Sequence, residues 1–508
     1  MTTVAAIFEA SYRRFAGRPA LVDGPVTRTY RELGDRAHRF ASGLRARGLQ
    51  PGDRVALVAP NSPAYIEASH GIFTGGYVRV APSDKLHPDE VRGIVADCAA
   101  RALVVSPEWA GRLDGIDAEL IVFGEDFEAL LAAGSPEPPD APPAPGDLCA
   151  LLYTSGTTGL PKAAMLTHAN WVAMMRNSMV ELPVVDPEDV VLHVAPLSHF
   201  SGYVEPTYSA RGACHLVHAA FEPAAVLDAI ERDRVTTLPL VPTMLNLMLP
   251  DAEAGGRDLS SIRTIMYGGS GIAPDRLARA VRVFGDVFVQ FFGLSETPMP
   301  LTALSQRDHR FDASGPPPQR LASAGRVNPF VELRIVGDDG TDLPAGEVGE
   351  IVVRGDTVMA GYWGKPELTA ETIDAEGWAA TGDLGRLDDD GHLYIVDRKR
   401  DMIVTGGYNV YPAEVENAIA SLEAVQEVAV VGAPDEQWGE AVTAVVVPRP
   451  GMTVTEDEVV AACTERLAGY KKPRVVEFVD ELPKTGSGKL MRRRVRDRYW
   501  AGQARRVG

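Results

Sequence analysis

Between positions 153 and 162 the chain reads Tyr-Thr-Ser-Gly-Thr-Thr-Gly-Leu-Pro-Lys. Thr154, Ser155, Thr157 and Thr158 supply hydroxyls, while Gly156 and Gly159 let the backbone approach a ligand closely. Such a loop turns N–H groups and hydroxyls toward an oxyanion, and Lys162 adds a fixed positive charge, so its chemistry is phosphate binding. It is not a Walker A loop, because G-x-x-x-x-G-K-[ST] needs glycine where Pro161 stands and a hydroxyl where Ala163 stands. A second glycine-rich run, Tyr267-Gly-Gly-Ser-Gly271, fails the nucleophile-elbow pattern G-x-S-x-G, since Ile272 occupies the last glycine position. That weakens a serine-hydrolase reading.

Further segments follow in order: Phe292-Gly-Leu-Ser-Glu296, Thr381-Gly-Asp383, Asp397-Arg398, Gly406-Gly-Tyr-Asn409 and Pro483-Lys-Thr-Gly-Ser-Gly-Lys489. Together with the loop at Lys162, this ordered set resembles the signatures of the adenylate-forming superfamily. That superfamily holds acyl-CoA synthetases, adenylation domains of peptide synthetases and firefly-type luciferases, and the chain is most like a fatty-acid or related acyl-CoA ligase. The resemblance implies ATP-dependent activation of a carboxylic acid to an acyl-adenylate with release of pyrophosphate, then transfer to CoA. ATP, Mg²⁺ and CoA are the implied cofactors.

Roles are carried over residue by residue. Thr154, Ser155, Gly156, Thr157, Thr158 and Lys162 match the phosphate loop. Gly269, Ser270 and Gly271 match the adenine segment, where a backbone without side chains can approach the ring while Phe292 lies flat against it beside Gly293. Ser295 offers a hydroxyl to the α-phosphate. Glu296 matches the Mg²⁺ carboxylate, with Thr154 beside it, and Mg²⁺ takes oxygen ligands from phosphates and few carboxylates. Asp383 and Arg398 match the ribose site. Lys489 matches the lysine that bridges the substrate carboxylate and the α-phosphate. One cation at ~4 Å and an effective dielectric of ~20 contributes about 4 kcal/mol, near a thousandfold in rate. Arg400 matches the hinge about which the small domain rotates, and Gly406, Gly407 and Tyr408 match a thin wall for the pantetheine arm. Ala163 for Gly, Phe292 for Tyr, Ser295 for Thr and Arg400 for Asp or Lys depart from the common pattern yet keep a small residue, an aromatic face, a hydroxyl and a polar hinge.

Pro196-Leu-Ser-His-Phe-Ser-Gly-Tyr203 resembles the segment whose His-aromatic pair flanks the acyl pocket. His199 alone would more often be a satisfied core histidine; carried by the motif it becomes a gate beside the carboxylate. Phe200, Gly202, Tyr203 and Gly268 are the expected pocket residues. No Asp equivalent to the ammonium partner of amino-acid-activating relatives stands after it. The small residues Ser201, Gly202 and 268–271 suggest room for a bulky or long apolar acid, and fatty acid metabolism is the expected setting. Two other readings stay open: a stand-alone adenylation enzyme loading a carrier-protein pantetheine, and a non-catalytic nucleotide-binding protein.

These residues need elements to hold them. At 508 residues the chain exceeds one growing core, so at least two domains are expected. Strand-then-helix rhythm recurs: a strand pair at 20–30, a strand at 54–59, a helix at 63–74, then strand and helix pairs through 291. An apolar strand at 147–153 feeds the Gly/Thr loop, and a helix starts near His168. Residues 134–146 are a Pro-rich surface linker. Strands and turns follow residue 330, with Asp338-Asp339-Gly340 marking a hairpin. The expected class is α/β: layered sheets and a β-rich subdomain over 1–398, and a small mobile α+β domain over 399–508.

A net charge of -19 argues against nucleic acid or anionic membrane as a partner. Four cysteines without C-x-x-C spacing predict reduced, buried thiols rather than zinc or disulfides. No signal peptide and no membrane span is read, so a cytoplasmic location is expected, with a homodimer left open.

Overall fold

A computed structural model describes residues 2–24, 26–113, 115–154, 162–312, 314–399, 401–405, 408–435, 438–484 and 490–501; of Thr154 and Asn409 it describes the backbone alone. Two large sheets carry most of the first 330 residues. The nine-stranded sheet is parallel in its middle, where Phe288–Phe292, Thr264–Gly268, Thr237–Leu240, Val190–His193, Cys214–Val217 and Pro19–Asp23 lie side by side. The six-stranded sheet is parallel from Glu119–Val122 through Ala102–Val105, Arg54–Val58 and Val78–Val80 to Leu148–Thr154. Its last strand, Lys162–Thr167, turns back antiparallel. These strands read as apolar runs because both faces are covered, as a parallel sheet requires; Ala102–Val105 and Thr237–Leu240 are buried at every position.

Helices begin where the local chemistry allows. Ser62 accepts from the Tyr65 N–H ahead of Pro63–Thr74, with proline in the first turn, and Thr29 and Glu32 form a capping box at Tyr30–Ala46. The expected helix at 63–74 and strands at 54–59 and 147–153 are present within a residue or two. The linker at 134–146 contains neither helix nor strand.

Two expectations need correction. The Gly/Thr loop does not lead directly to a helix; the strand Lys162–Thr167 intervenes, so the loop closes a hairpin. Ala163, Ala164 and Leu166 are buried there, and Thr167 caps the following helix with Asn170. The turn at 338–340 is formed, but its pairing ends after the single bridge Val336–Asp342. The true partner of Val331–Val336 is Gly349–Gly355.

That pair opens a four-stranded antiparallel sheet completed by Ala379–Leu387 and Leu393–Arg398. Beyond it, a five-stranded sheet built on Val425–Asp435 and Gly439–Pro448 packs against Pro412–Ala420 and Glu456–Arg466, with its own buried core around Val430, Val442 and Val459. The four cysteines are free thiols; Cys214 is half-buried and the others are buried. Among the described residues, no helix is long and apolar enough to cross a membrane.

Candidate active site

Lys162 opens the return strand of the hairpin, opposite Thr154. Its Nζ lies 2.9 Å from Glu296 Oε1 and 2.5 Å from the Tyr362 hydroxyl, which in turn donates to Glu296 Oε1 at 2.7 Å. Three distant stretches of chain thus meet at one point. Segment 360–363 lies along the return strand like a further strand: the Met165 N–H donates to the Gly361 carbonyl, and the Trp363 N–H to the Ala163 carbonyl. That pairing is what brings Tyr362 to Lys162. Burial alone would raise the Glu296 carboxyl, but Lys162 and the Tyr362 hydroxyl more than offset it and hold the group below its ordinary value. The carboxylate is therefore ionised at neutral pH.

Among the described residues no three acidic, histidine or cysteine side chains cluster as a metal cage. Glu296 is a single ionised, oxygen-donating group beside a phosphate-type loop. This donor set fits Mg²⁺, which keeps phosphate and water oxygens around few carboxylates. The Ser155, Gly156, Thr157 and Thr158 assignments, and the Thr154 side chain, lie outside the described residues.

Gly269–Gly271, expected at the adenine, and the Phe292 segment are neighbours because their strands are parallel and in register, Gly268 beside Phe291. Both loops leave from the carboxyl ends of those strands, where ligands of open α/β sheets bind. Gly269, Ser270 and Gly271 are exposed; Phe292, Gly293 and Ser295 are half-buried. The segment holding His199 leaves the same edge after Val190–His193.

His199 precedes the helix Phe200–Ser209, its Nδ1 2.8 Å from Ser198 Oγ. Phe200 meets Gly268: a Cβ there would lie 3.0 Å from the Phe200 ring and 2.6 Å from the Phe291 carbonyl oxygen. Gly202 faces elsewhere, since a Cβ on it would sit 1.8 Å from the Leu197 carbonyl oxygen. Tyr203 packs edge-on against Trp171, and Ser201 is buried with its hydroxyl 2.7 Å from His193 Nδ1. The small size of Ser201, Gly202 and Gly268 thus answers to close packing, not to open room for an acid. Only the exposed Gly269–Gly271 stretch keeps that sense.

Asp383 and Arg398 face each other across adjacent strands, with Arg398 Nε 3.3 Å from Asp383 Oδ1. Asp383 is buried and also receives order from its neighbour, its N–H donating to Thr381 Oγ1. Arg398 is half exposed, so a ligand can reach the pair from one side.

In the last hundred residues, Ile403–Thr405 and Tyr408–Val410 form a hairpin. Gly406, Gly407, Arg400 and Lys489 lie outside the described residues. What flanks them is described. Tyr408 is exposed and stacks on Tyr470, ring centroids 4.8 Å apart. Just after Lys489, Arg492 gathers three carboxylates: Glu416 at 2.7 Å, Asp401 at 3.3 Å and Asp397 at 3.8 Å. Burial pushes the Asp397 carboxyl up to about 6, with Arg492 and the Ala413 and Arg398 N–H groups pulling the other way.

Sequence reasoning missed Tyr362, Tyr470 and Arg492. Tyr362 carried one usable signal, an aromatic pair between glycines in Gly361-Tyr-Trp-Gly364. Arg492 stands in an arginine run that reads as a solvated basic face, and only the fold shows it enclosed by acids.

The model of the AMP-binding enzyme family matches residues 8–363, and that of the AMP-binding enzyme C-terminal domain matches 414–489. The chain is 41% identical to a feruloyl-CoA synthase of an Amycolatopsis species over 94% of its length and 96% of that protein. It is 36% identical to a fatty acid–[acyl-carrier-protein] ligase of Streptomyces coeruleorubidus, covering 96% and 95% of the two chains. The crystal structure of ATP-bound MatB from Rhodopseudomonas palustris superposes with a TM-score of 0.87 at 29% identity, over 98% of this chain and 99% of that one.

Proposed function

The chain belongs to the AMP-binding enzyme family, and on that premise we propose that it is an acid–thiol ligase whose two half-reactions share the site at Lys162. In the first, a carboxylate oxygen bonds to the α-phosphorus of ATP, the bond from that phosphorus to the bridging oxygen breaks, and pyrophosphate leaves. In the second, the sulfur of CoA bonds to the acyl carbon, the carbon–oxygen bond to AMP breaks, and the thiol proton is lost. Thioester and AMP are the products.

The observation that carries this reading is the Lys162–Glu296–Tyr362 cluster at the edge where the nucleotide loops converge. Lys162 stabilises negative charge on the phosphates, and Tyr362 fixes the Glu296 carboxylate. Mg²⁺, held by Glu296, would neutralise charge on the leaving pyrophosphate. Asp383 takes the ribose hydroxyls with Arg398 beside it, and Lys489 completes the first half-reaction. We take 1–398 and 399–508 as the two units, hinged at Arg400; the two family models leave 364–413 unmatched between them, which supports a boundary in that stretch. Rotation there removes Lys489 and brings in the Gly406–Tyr408 hairpin, so Arg400→Pro slows thioester formation more than adenylation. A uniform effect on both would count against the hinge.

For the acid we propose a bulky apolar one, with aromatic acids of the feruloyl type first, because a feruloyl-CoA synthase is similar along the whole chain. A carrier-protein acceptor is the second reading, supported by the likeness to a carrier-protein ligase. We place the enzyme in the cytoplasm, where ATP and CoA are supplied; light scattering distinguishes a monomer from a homodimer. Acid-dependent ATP–pyrophosphate exchange over acetate, long-chain, aromatic and polycyclic acids, followed by AMP formation with CoA or a holo-carrier, tests all of this. No exchange with any acid would sink the ligase reading, and turnover confined to acetate would sink the choice of acid.

A further inference from the structure

Two buried side chains, neither part of a nucleotide motif, grip the peptide just before His199. Asn61 Oδ1 accepts from the Leu197 N–H at 2.8 Å, and Asn61 Nδ2 donates to the Ala195 carbonyl at 2.9 Å. Arg79 Nη2 donates to the Leu197 carbonyl at 2.8 Å. Both polar groups of Leu197 are therefore held by side chains from the other large sheet. Gly202 closes over the same carbonyl, where any side chain would clash.

Arg79 is a costly choice of side chain for holding one carbonyl. It is 2% exposed, and among the described residues no carboxylate lies within ion-pair distance. Its other contacts, Tyr65 hydroxyl and Ser69 Oγ at 3.3 Å each, are neutral, and Nη1 is buried with no partner. A buried cation lacking a counter-charge works against stability. An apolar residue of similar length would remove the uncompensated charge but leave the Leu197 carbonyl unpaired, so the two effects on stability oppose each other and stability alone does not call for a cation here.

Position does account for it. Arg79 lies in Val78–Val80, which pairs directly with Leu148–Thr154, the strand that feeds the phosphate loop. Asn61 follows Arg54–Val58, the neighbour on the other side. The acid-binding segment belongs to the nine-stranded sheet and the phosphate loop to the six-stranded one, yet their ligands must react at bonding distance. We propose that Asn61 and Arg79 are positioning residues that register the His199 segment against the phosphate-binding hairpin. This rests on the ligase reading above and on His199 standing beside the acid. Rigid registration matters because small misplacements of reacting groups cost large factors in rate.

The test is steady-state adenylation with Arg79→Met, Arg79→Lys and Asn61→Ala, alongside thermal unfolding. Arg79→Met is expected to melt near the wild-type temperature, the shed charge offsetting the unpaired carbonyl, yet raise KM for the acid or lower kcat at least tenfold, with KM for ATP within twofold. Arg79→Lys, which keeps one donor for the Leu197 carbonyl, is expected to recover part of the loss. Asn61→Ala should reproduce the acid-side defect in soluble protein. The clamp is overturned if folded Arg79→Met adenylates normally, if the loss follows a fall in melting temperature, or if KM for ATP rises as much as that for the acid. Should Arg79→Met not fold, stability does explain Arg79 and the idea likewise fails. Wild-type protein inactive with every acid would instead indict the ligase reading.

Discussion

Among the described residues, two clusters of ionisable side chains invite comparison, one at the proposed reaction centre and one sealed in the core. The first is Lys162, Glu296 and Tyr362 at the edge of two sheets, with Lys162 and Glu296 half-buried and Tyr362 buried. The second runs through the core. Tyr12 hydroxyl meets His70 Nδ1 at 2.8 Å, and His70 Nε2 meets Glu205 at 3.0 Å. Ser209 bridges Glu205 to His215, and His193 joins His215 at 2.9 Å before reaching Ser201. By residue type the second cluster looks more catalytic: three histidines, a carboxylate and two serine hydroxyls. Yet its members are buried, and each one's partner is another member. The difference teaches that chemistry-bearing residues make a site only where a substrate can reach them. In the core the same residues satisfy one another and tie helices to the sheet.

Variants should separate the two clusters. Lys489→Ala is expected to give the largest effect, about a thousandfold loss of adenylation, with thioester formation from a supplied acyl-adenylate largely kept. Equal loss in both half-reactions would remove Lys489 from its assignment. Glu296→Gln should lower ATP–pyrophosphate exchange about a hundredfold, close to 2.7 kcal/mol, and raise the Mg²⁺ needed for half-maximal rate. An unchanged Mg²⁺ response would mean that another group binds the ion. Tyr362→Phe removes one hydrogen bond to a charged acceptor, so a loss near tenfold is expected, without a change in melting temperature.

The core cluster should respond to pH through stability alone. Burial lowers His193 to about 3, with His215 adding to the shift. Burial likewise lowers His215 to about 4, although Glu205 pulls it up. Both imidazoles are neutral in the fold, whereas the unfolded chain protonates them near 6.5. The unfolded state therefore binds more protons below that value, and stability falls as pH drops from about 6.5 toward 4. Each buried imidazole contributes a slope of about 1.4 kcal/mol per pH unit. For Glu205, burial raises the carboxyl, but His70, His215 and Ser209 outweigh it and hold the group at about 2. Its contribution is complete above about 4.5 and is lost progressively as pH falls from there through 2, mostly below the histidine window. Melting curves of His193→Gln between pH 7 and 4 should show a shallower dependence, with kcat at neutral pH close to wild type. A slope identical to wild type would place the acid sensitivity elsewhere.

Much of the candidate site was legible in the chain because its residues do their work in short runs. A Gly/Thr loop ending in lysine, an aromatic-Gly-x-Ser-Glu run and a Thr-Gly-Asp run each carry their signature within a few residues. Strand and helix positions were legible for similar reasons: caps, proline starts and apolar runs are local. The return strand Lys162–Thr167 was not, since six residues after a proline carry no clear period and gain their order from pairing with Leu148–Thr154 and with 360–363. Small residues near His199 misled for the opposite reason. Ser201, Gly202 and Gly268 have a visible size but an invisible neighbour, and the neighbour is what requires the size.

By itself the sequence determined a phosphate-binding loop, because hydroxyls, glycines and a lysine at short spacing suffice for that chemistry, and the ordered motifs carried the family resemblance that implied the class of reaction. Tertiary structure alone decided which distant groups share a point: Tyr362 with Glu296 across 66 residues, and Asn61 with Leu197 across 136. It also decided which rich cluster is sealed. Both outcomes depend on strand order and layer packing, and a hydrogen bond between residues far apart in the chain leaves no periodic trace in it.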